Sequence, residues 1–143
     1  MGLSALQYLK ERDPSLKITY ALPAWMTPLY KDIETAADQV IAINSPLDFF
    51  SKILELRPDA IHEMHQSGAT AKLLSLYSKI KNIPYTFHNH HSTDPSTVKD
   101  QGIPKAAIQR DLDGVAAFYP SKNYPSFLEF EPRIKTKGSN KFK

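Results

Sequence analysis

The five histidines of this chain fall into two groups, His62/His65 and His88/His90/His91, and each group closes a short run of strand-forming residues. In an open α/β sheet, ligands bind in the crevice beyond the carboxyl ends of the strands, so polar side chains at such ends carry more weight than polar side chains elsewhere. His65, Gln66, Ser67 and Gly68 combine a strand end with the start of a helix, whose free amides and dipole can hold an anion such as phosphate. His88, Asn89, His90 and His91 leave the following strand, and if the two strands are neighbours both groups reach one rim. His62 stands inside its strand and reads as a sheet-face or core residue. Further on, Gln109, Arg110 and Asp111 form a polar cluster in which Arg110 is suited to a phosphate or carboxylate, with a surface ion pair as the more economical account. Structural zinc sites draw on cysteine and catalytic ones need three fixed ligands around an open position, so no metal is expected.

The elements that must position these residues alternate between strand and helix. Leu3, Leu6 and Leu9 against Gln7, Lys10 and Glu11 predict an amphipathic helix from Gly2 to Arg12, broken by Asp13-Pro14-Ser15. Lys17 to Ala21 reads as a strand. Pro23 then opens a helical turn carrying Trp25, Met26, Leu29 and Ile33, with Trp25 expected in the core rather than as a ligand platform. Val40 to Ile43 suits a parallel strand buried on both faces. Ser45, Pro46 and Asp48 predict a helix start, with a cap, a first-position proline and a capping-box acid, and Leu47, Phe50, Ile53 and Leu54 predict its packed face. In Asp59 to Met64, Ala60, His62 and Met64 alternate against Ile61 and Glu63. A helix from Ala69 to Lys81 packing Leu73, Leu74, Tyr77 and Ile80, then a strand from Tyr85 to His88, complete the regular pattern. Pro104 to Leu112 reads as helical, and Pro120 to Pro132 as irregular. This alternation predicts a Rossmann-like α/β fold, a parallel sheet with flanking helices and right-handed crossovers.

At 143 residues with 41% hydrophobic content, the chain can fill the core of one soluble domain, expected over residues 1–119, followed by a basic tail or linker over 120–143. The net charge of +3 belongs to that tail: without Arg133, Lys135, Lys137, Lys141 and Lys143, the remaining 13 basic and 15 acidic residues leave −2. A terminal run of this kind is a solvated end rather than a nucleic-acid footprint, although it could touch an anionic membrane surface. The absence of cysteine excludes disulfides, and no apolar stretch approaches the roughly 20 residues of a membrane span, so a cytoplasmic location is expected. Neither a G-x-G-x-x-G nor a P-loop pattern is present, which argues against a flavodoxin-like or nucleotide-binding protein.

The order of segments resembles glycosyltransferase family 9, the ADP-heptose:lipopolysaccharide heptosyltransferases and their relatives. The carrying stretches are GLSALQYLKERDPSLKITYALPAWMTPLY, ADQVIAI and RPDAIHEMHQSGATAKLLSLYSKIKNIPYTFHNHH, with IPKAAIQRDLDGVAAFY a weaker match. The third is the most specific, a strand ending in a Gln-Ser-Gly loop, a small-residue helix, and a strand ending in basic residues. The resemblance implies the N-terminal, acceptor-side half of a GT-B enzyme, with His65 to Gly68, His88 to His91 and Arg110 as substrate-binding residues. Its implied partners are a nucleotide-sugar donor such as ADP-heptose and a lipopolysaccharide-core acceptor, met at the cytoplasmic face of the inner membrane; no cofactor and no nucleic acid are implied. Family members open with a strand and a Gly-Asp loop bearing the general base, and Met1 aligns just after it. The first strand, the catalytic carboxylate and the C-terminal donor domain are therefore expected to be lacking, leaving little activity in the chain alone and two sheet edges unpaired. The alternative is a non-catalytic α/β domain that binds a small anionic ligand or a partner chain.

Overall fold

A computed structural model describes residues 2–64, 68–87, 99–100, 103–104, 106–119, 125–130 and 134–137. The alternation is present as α1 (Leu3–Arg12), β1 (Thr19–Pro23), a 3-10 helix (Ala24–Tyr30), β2 (Ile33–Glu34), β3 (Gln39–Ile43), α2 (Pro46–Leu56), β4 (Ile61–Glu63), α3 (Gly68–Lys81) and β5 (Tyr85–Phe87), with one change: Ile33, expected in the helix after Pro23, lies in the short strand β2. Beyond these lie β6 (Lys99–Asp100), β7 (Ile103–Pro104), α4 (Ala107–Ala116), a short 3-10 turn (Phe127–Glu129) and β8 (Lys135–Thr136). The fold is mixed α/β with small parallel sheets, and among the described residues no helix is long and apolar enough to cross a membrane.

The strands pair as β1 with β3 and β4 with β5, both parallel, and as β2 with β8 and β6 with β7, both antiparallel. Instead of one continuous sheet there are thus two separate parallel pairs, and among the described residues no strand is hydrogen-bonded between β1 and β4. The strand β3, expected to be buried on both faces, is only half-buried, because a two-stranded pair cannot cover both its edges and its faces.

Two apolar clusters lie on opposite faces of β4 and β5. Ile61 packs with Ile53 of α2 and with Leu74 and Tyr77 of α3. On the other side Ala5 and Tyr8 of α1 meet Leu112, Val115 and Ala116 of α4. The alternation along β4 makes this possible, since neighbouring residues of a strand point to opposite faces. The helix α1 is buried around more of its circumference than its pattern predicts. Even Gln7 is inside, its side-chain amide donating to Glu11 Oε1 at 2.7 Å.

The α2 start forms as predicted: Pro46 is the first helical residue and Ser45 Oγ accepts from the Asp48 amide at 3.1 Å. The Asp48 carboxylate accepts from the Asn44 amide at 2.8 Å and from Lys52 at 2.9 Å, one residue earlier than a reciprocal capping box requires. Of the expected packed face of α2 only Ile53 is fully buried, while Leu47 is exposed. Ile80 of α3 is likewise exposed, because it points away from the face that Leu74 and Tyr77 turn to the sheet.

The largest departure is Trp25. The segment after β1 is a 3-10 helix rather than an α-helix, Pro28 lies inside it, and its tighter winding carries Trp25 out to 77% exposure. The tail, in contrast, folds back: Phe127 and Phe130 pack on the α1–α4 cluster, and β8 pairs with β2 so that Lys135 stands opposite Glu34.

Asp38 ties the starts of β1 and β3 to α1. Its carboxylate accepts from the Ile18 amide at 2.7 Å and from Lys10 at 2.9 Å, and these contacts, the Ile18 amide first, hold its carboxyl below the usual carboxylate range. A depressed native pKa means stability that is present above the unfolded value near about 4 and lost as pH falls through the native one. Melting curves through the acid range are expected to converge for the wild type and Asp38→Asn at low pH and to separate at neutral pH, the wild type melting higher. An unchanged separation at acid pH would contradict this account.

Candidate functional site

The parallel register Ile61↔Tyr85, His62↔Thr86 and Glu63↔Phe87 makes β4 and β5 neighbours that end together. The chain leaves both strands at the same end of the pair, and α3 begins there with Gly68. His65, Gln66 and Ser67, and likewise His88, Asn89, His90 and His91, lie outside the described residues. Gly68 is the first residue of α3, and Arg110 is half-buried on α4.

The described core of this rim is Glu63, the last residue of β4, which is 8% exposed. Its Oε1 accepts from Thr70 Oγ1 at 3.1 Å and its Oε2 from the Tyr85 hydroxyl at 2.6 Å. One carboxylate therefore joins the end of β4, the first turn of α3 and the start of β5. Burial pushes the Tyr85 phenol well above its ordinary range, and the hydrogen bond to Glu63 and the charge of that carboxylate push it further. Hydrogen bonds to a charged group are worth about 1.5–3 kcal/mol, and Tyr85 is only half-buried, so Tyr85→Phe is expected to cost about 1.5 kcal/mol. Urea unfolding would measure it, and a cost near zero would remove the Tyr85 hydroxyl from this junction.

On the opposite face His62 Nδ1 lies 2.9 Å from Thr86 Oγ1, and the ring meets Phe118 edge-on with centroids 6.5 Å apart. His62 is thus a sheet-face residue covered by α4, as its position inside the strand predicts. Among the described residues no three His, Cys, Asp or Glu side chains come close enough to hold a metal ion.

The polar cluster on α4 is not a surface feature. Asp111 is 2% exposed, and its charge adds to burial and to Tyr30 in raising the Tyr20 phenol far above its usual range. The rings of Tyr20 and Tyr30 meet edge-to-face at 5.7 Å. Gln109 acts as a clamp: its amide donates to the Pro125 carbonyl at 2.9 Å and accepts from the Phe127 amide at 3.0 Å, fixing the segment that brings Phe127 and Phe130 onto the core.

Glu63 is the residue that pattern reading passed over, whereas Asp111 belongs to the polar cluster expected at the surface and is buried. For Glu63 a signal existed, since it shares strand parity with the buried Ile61, and a carboxylate on a buried face must be paired. Comparison of the chain with protein-family models, with curated proteins and with solved structures returns no match.

Proposed function

We propose that this chain carries the acceptor-side, Rossmann-like domain of a glycosyltransferase similar to family 9, half of a GT-B enzyme. On this reading it holds a lipopolysaccharide-core or related envelope acceptor at the cytoplasmic face of the inner membrane. A separate donor domain binds a nucleotide sugar such as ADP-heptose. The observation that carries the reading is the β4–α3–β5 unit: two parallel strands joined by a crossover helix, ending together where the Gln-Ser-Gly and His-Asn-His-His segments leave. In α/β proteins that end of the strands is the ligand-binding end.

Transfer with inversion needs a base beside the acceptor hydroxyl and a donor site that stabilises the leaving diphosphate. On this reading the chain supplies acceptor binding, through His65 to Gly68, His88 to His91 and Arg110. The test is an NMR titration of the 143-residue chain with lipopolysaccharide-core oligosaccharide and, separately, with ADP-heptose. Saturable shifts at residues 65–68 and 88–91 from the oligosaccharide, with none from the nucleotide sugar, are expected. A chain indifferent to the oligosaccharide would overturn the reading and leave a non-catalytic α/β binding domain.

A further inference from the structure

We propose that the exposed face of the 3-10 helix Ala24–Tyr30, together with the basic strand β8 beside it, docks this protein on an anionic lipid surface, with Trp25 as the anchor. The proposal stands apart from the glycosyltransferase reading, since neither element belongs to the β4–α3–β5 rim.

Trp25 is the only tryptophan of the chain and is 77% exposed, and Leu29 in the same helix is 66% exposed. Tryptophan settles at the boundary between lipid headgroups and acyl chains, because its ring is apolar and its N–H polar. Residues three apart eclipse one another in a 3-10 helix, so Trp25, Pro28 and Lys31, the residue that closes the helix, form one exposed stripe, apolar at its start and cationic at its end. Tertiary structure brings the tail to that cationic end. The strand β8 pairs with β2, which follows the helix, and the Lys137 amide donates to the Asp32 carbonyl at 2.8 Å. Lys31 and Lys137 consequently line one cleft with Pro28. The segment that carries the chain's excess positive charge thus adjoins its exposed tryptophan, although the two lie far apart in sequence. Lys31, Lys135 and Lys137 are exposed, and three lysines against Asp32 and Glu34 leave a net charge of +1; Lys141 and Lys143 follow, with no acid after Glu131. Each lysine close to an anionic bilayer strengthens binding about fivefold, and apolar insertion adds to this attraction. A nucleic acid would use the lysines and could stack on the indole, but it offers Leu29 nothing apolar to enter.

The single tryptophan is its own reporter. The 143-residue chain is titrated with vesicles of phosphatidylcholine alone and of phosphatidylcholine mixed with phosphatidylglycerol, following Trp25 emission and vesicle co-sedimentation. The anionic vesicles are expected to shift the emission to the blue and to carry the protein down, less so as salt is raised, while the neutral vesicles do neither. Trp25→Ser should weaken co-sedimentation about tenfold or more, and the double variant Lys135→Gln/Lys137→Gln about twentyfold or more. Both change exposed side chains, and circular dichroism confirms that each variant is folded. No binding to either vesicle, equal binding to both, anionic vesicles bound with Trp25 emission unmoved, or a folded Trp25→Ser that sediments like the wild type would each overturn the proposal. An emission change with a short DNA duplex and none with vesicles would overturn it in favour of a nucleic-acid surface.

Discussion

Leu112→Ala, which truncates the largest fully buried side chain among the described residues, is expected to lower the unfolding free energy by about 2–5 kcal/mol. Leu112 is fully buried, and it stands where α1, α4 and the returning tail meet: Ala5 and Tyr8 lie on one side, Val115 and Ala116 beside it, and Phe127 and Phe130 close the cluster. The cost has two parts, the lost transfer energy of the removed carbons and the cavity left behind. The cavity term will be large because α4 is fixed on several sides, by Gln109 to the tail and by Gly114 to β4 and β5, and so cannot collapse inward. A domain of this size is stable by only about 5–15 kcal/mol, so the variant should melt far below the wild type and unfold at a much lower urea concentration. Hydrogen exchange should then show α1 losing protection together with α4. A loss under about 1 kcal/mol would mean that the α1–α4 cluster is not the principal core.

The second large effect is expected at Gly114, where the reason is contact and not backbone freedom. A Cβ at this position would stand 2.5 Å from His62 Cε1 and 3.1 Å from the Phe87 carbonyl oxygen. The histidine ring is held in place by Thr86 and Phe118, and the carbonyl belongs to β5, so neither yields cheaply. Gly114→Val should therefore cost about 3 kcal/mol, the upper part of the range for overpacking, despite the better helix propensity of valine. Shortening the ring should return part of this: the double variant with His62→Ala is expected to be more stable than the sum of the two single losses by about 1 kcal/mol or more. Simple additivity in urea unfolding would show that the ring is not what Gly114 accommodates. The same pair explains how α4 approaches the sheet so closely, since glycine on the helix makes room for the imidazole on the strand.

Much of this architecture was legible in the residues. The Ser45-Pro46 helix start is local chemistry, one hydroxyl and one ring acting within a few residues, and it forms as read. The period-two alternation in Ile61, His62 and Glu63 placed His62 on one face and Ile61 on the other, and the two apolar clusters lie accordingly. Trp25 was legible only in part. Its spacing to Met26 and Leu29 fits an α-helix, but Pro28 and the short span force 3-10 winding, and the tryptophan turns outward. Asp111 was misread for a related reason: a polar triplet on a helix looks solvated until other elements cover it, and α4 is covered by both α1 and the tail.

What the sequence determined by itself was therefore the alternation of the longer strands and helices from α1 to β5, the Ser45-Pro46 helix start and the faces of β4, because these depend on interactions within a few residues, whereas the short strands β2, β6, β7 and β8 were not legible in it. Tertiary structure alone decided that the strands form two separate parallel pairs, that the tail returns through Gln109 to the core, and that Glu63 is locked between Thr70 and Tyr85. Each of those joins residues separated in sequence by seven or more positions, so no local pattern records it; only the closing of strand, helix and strand around one point brings a carboxylate and two hydroxyls within hydrogen-bond reach.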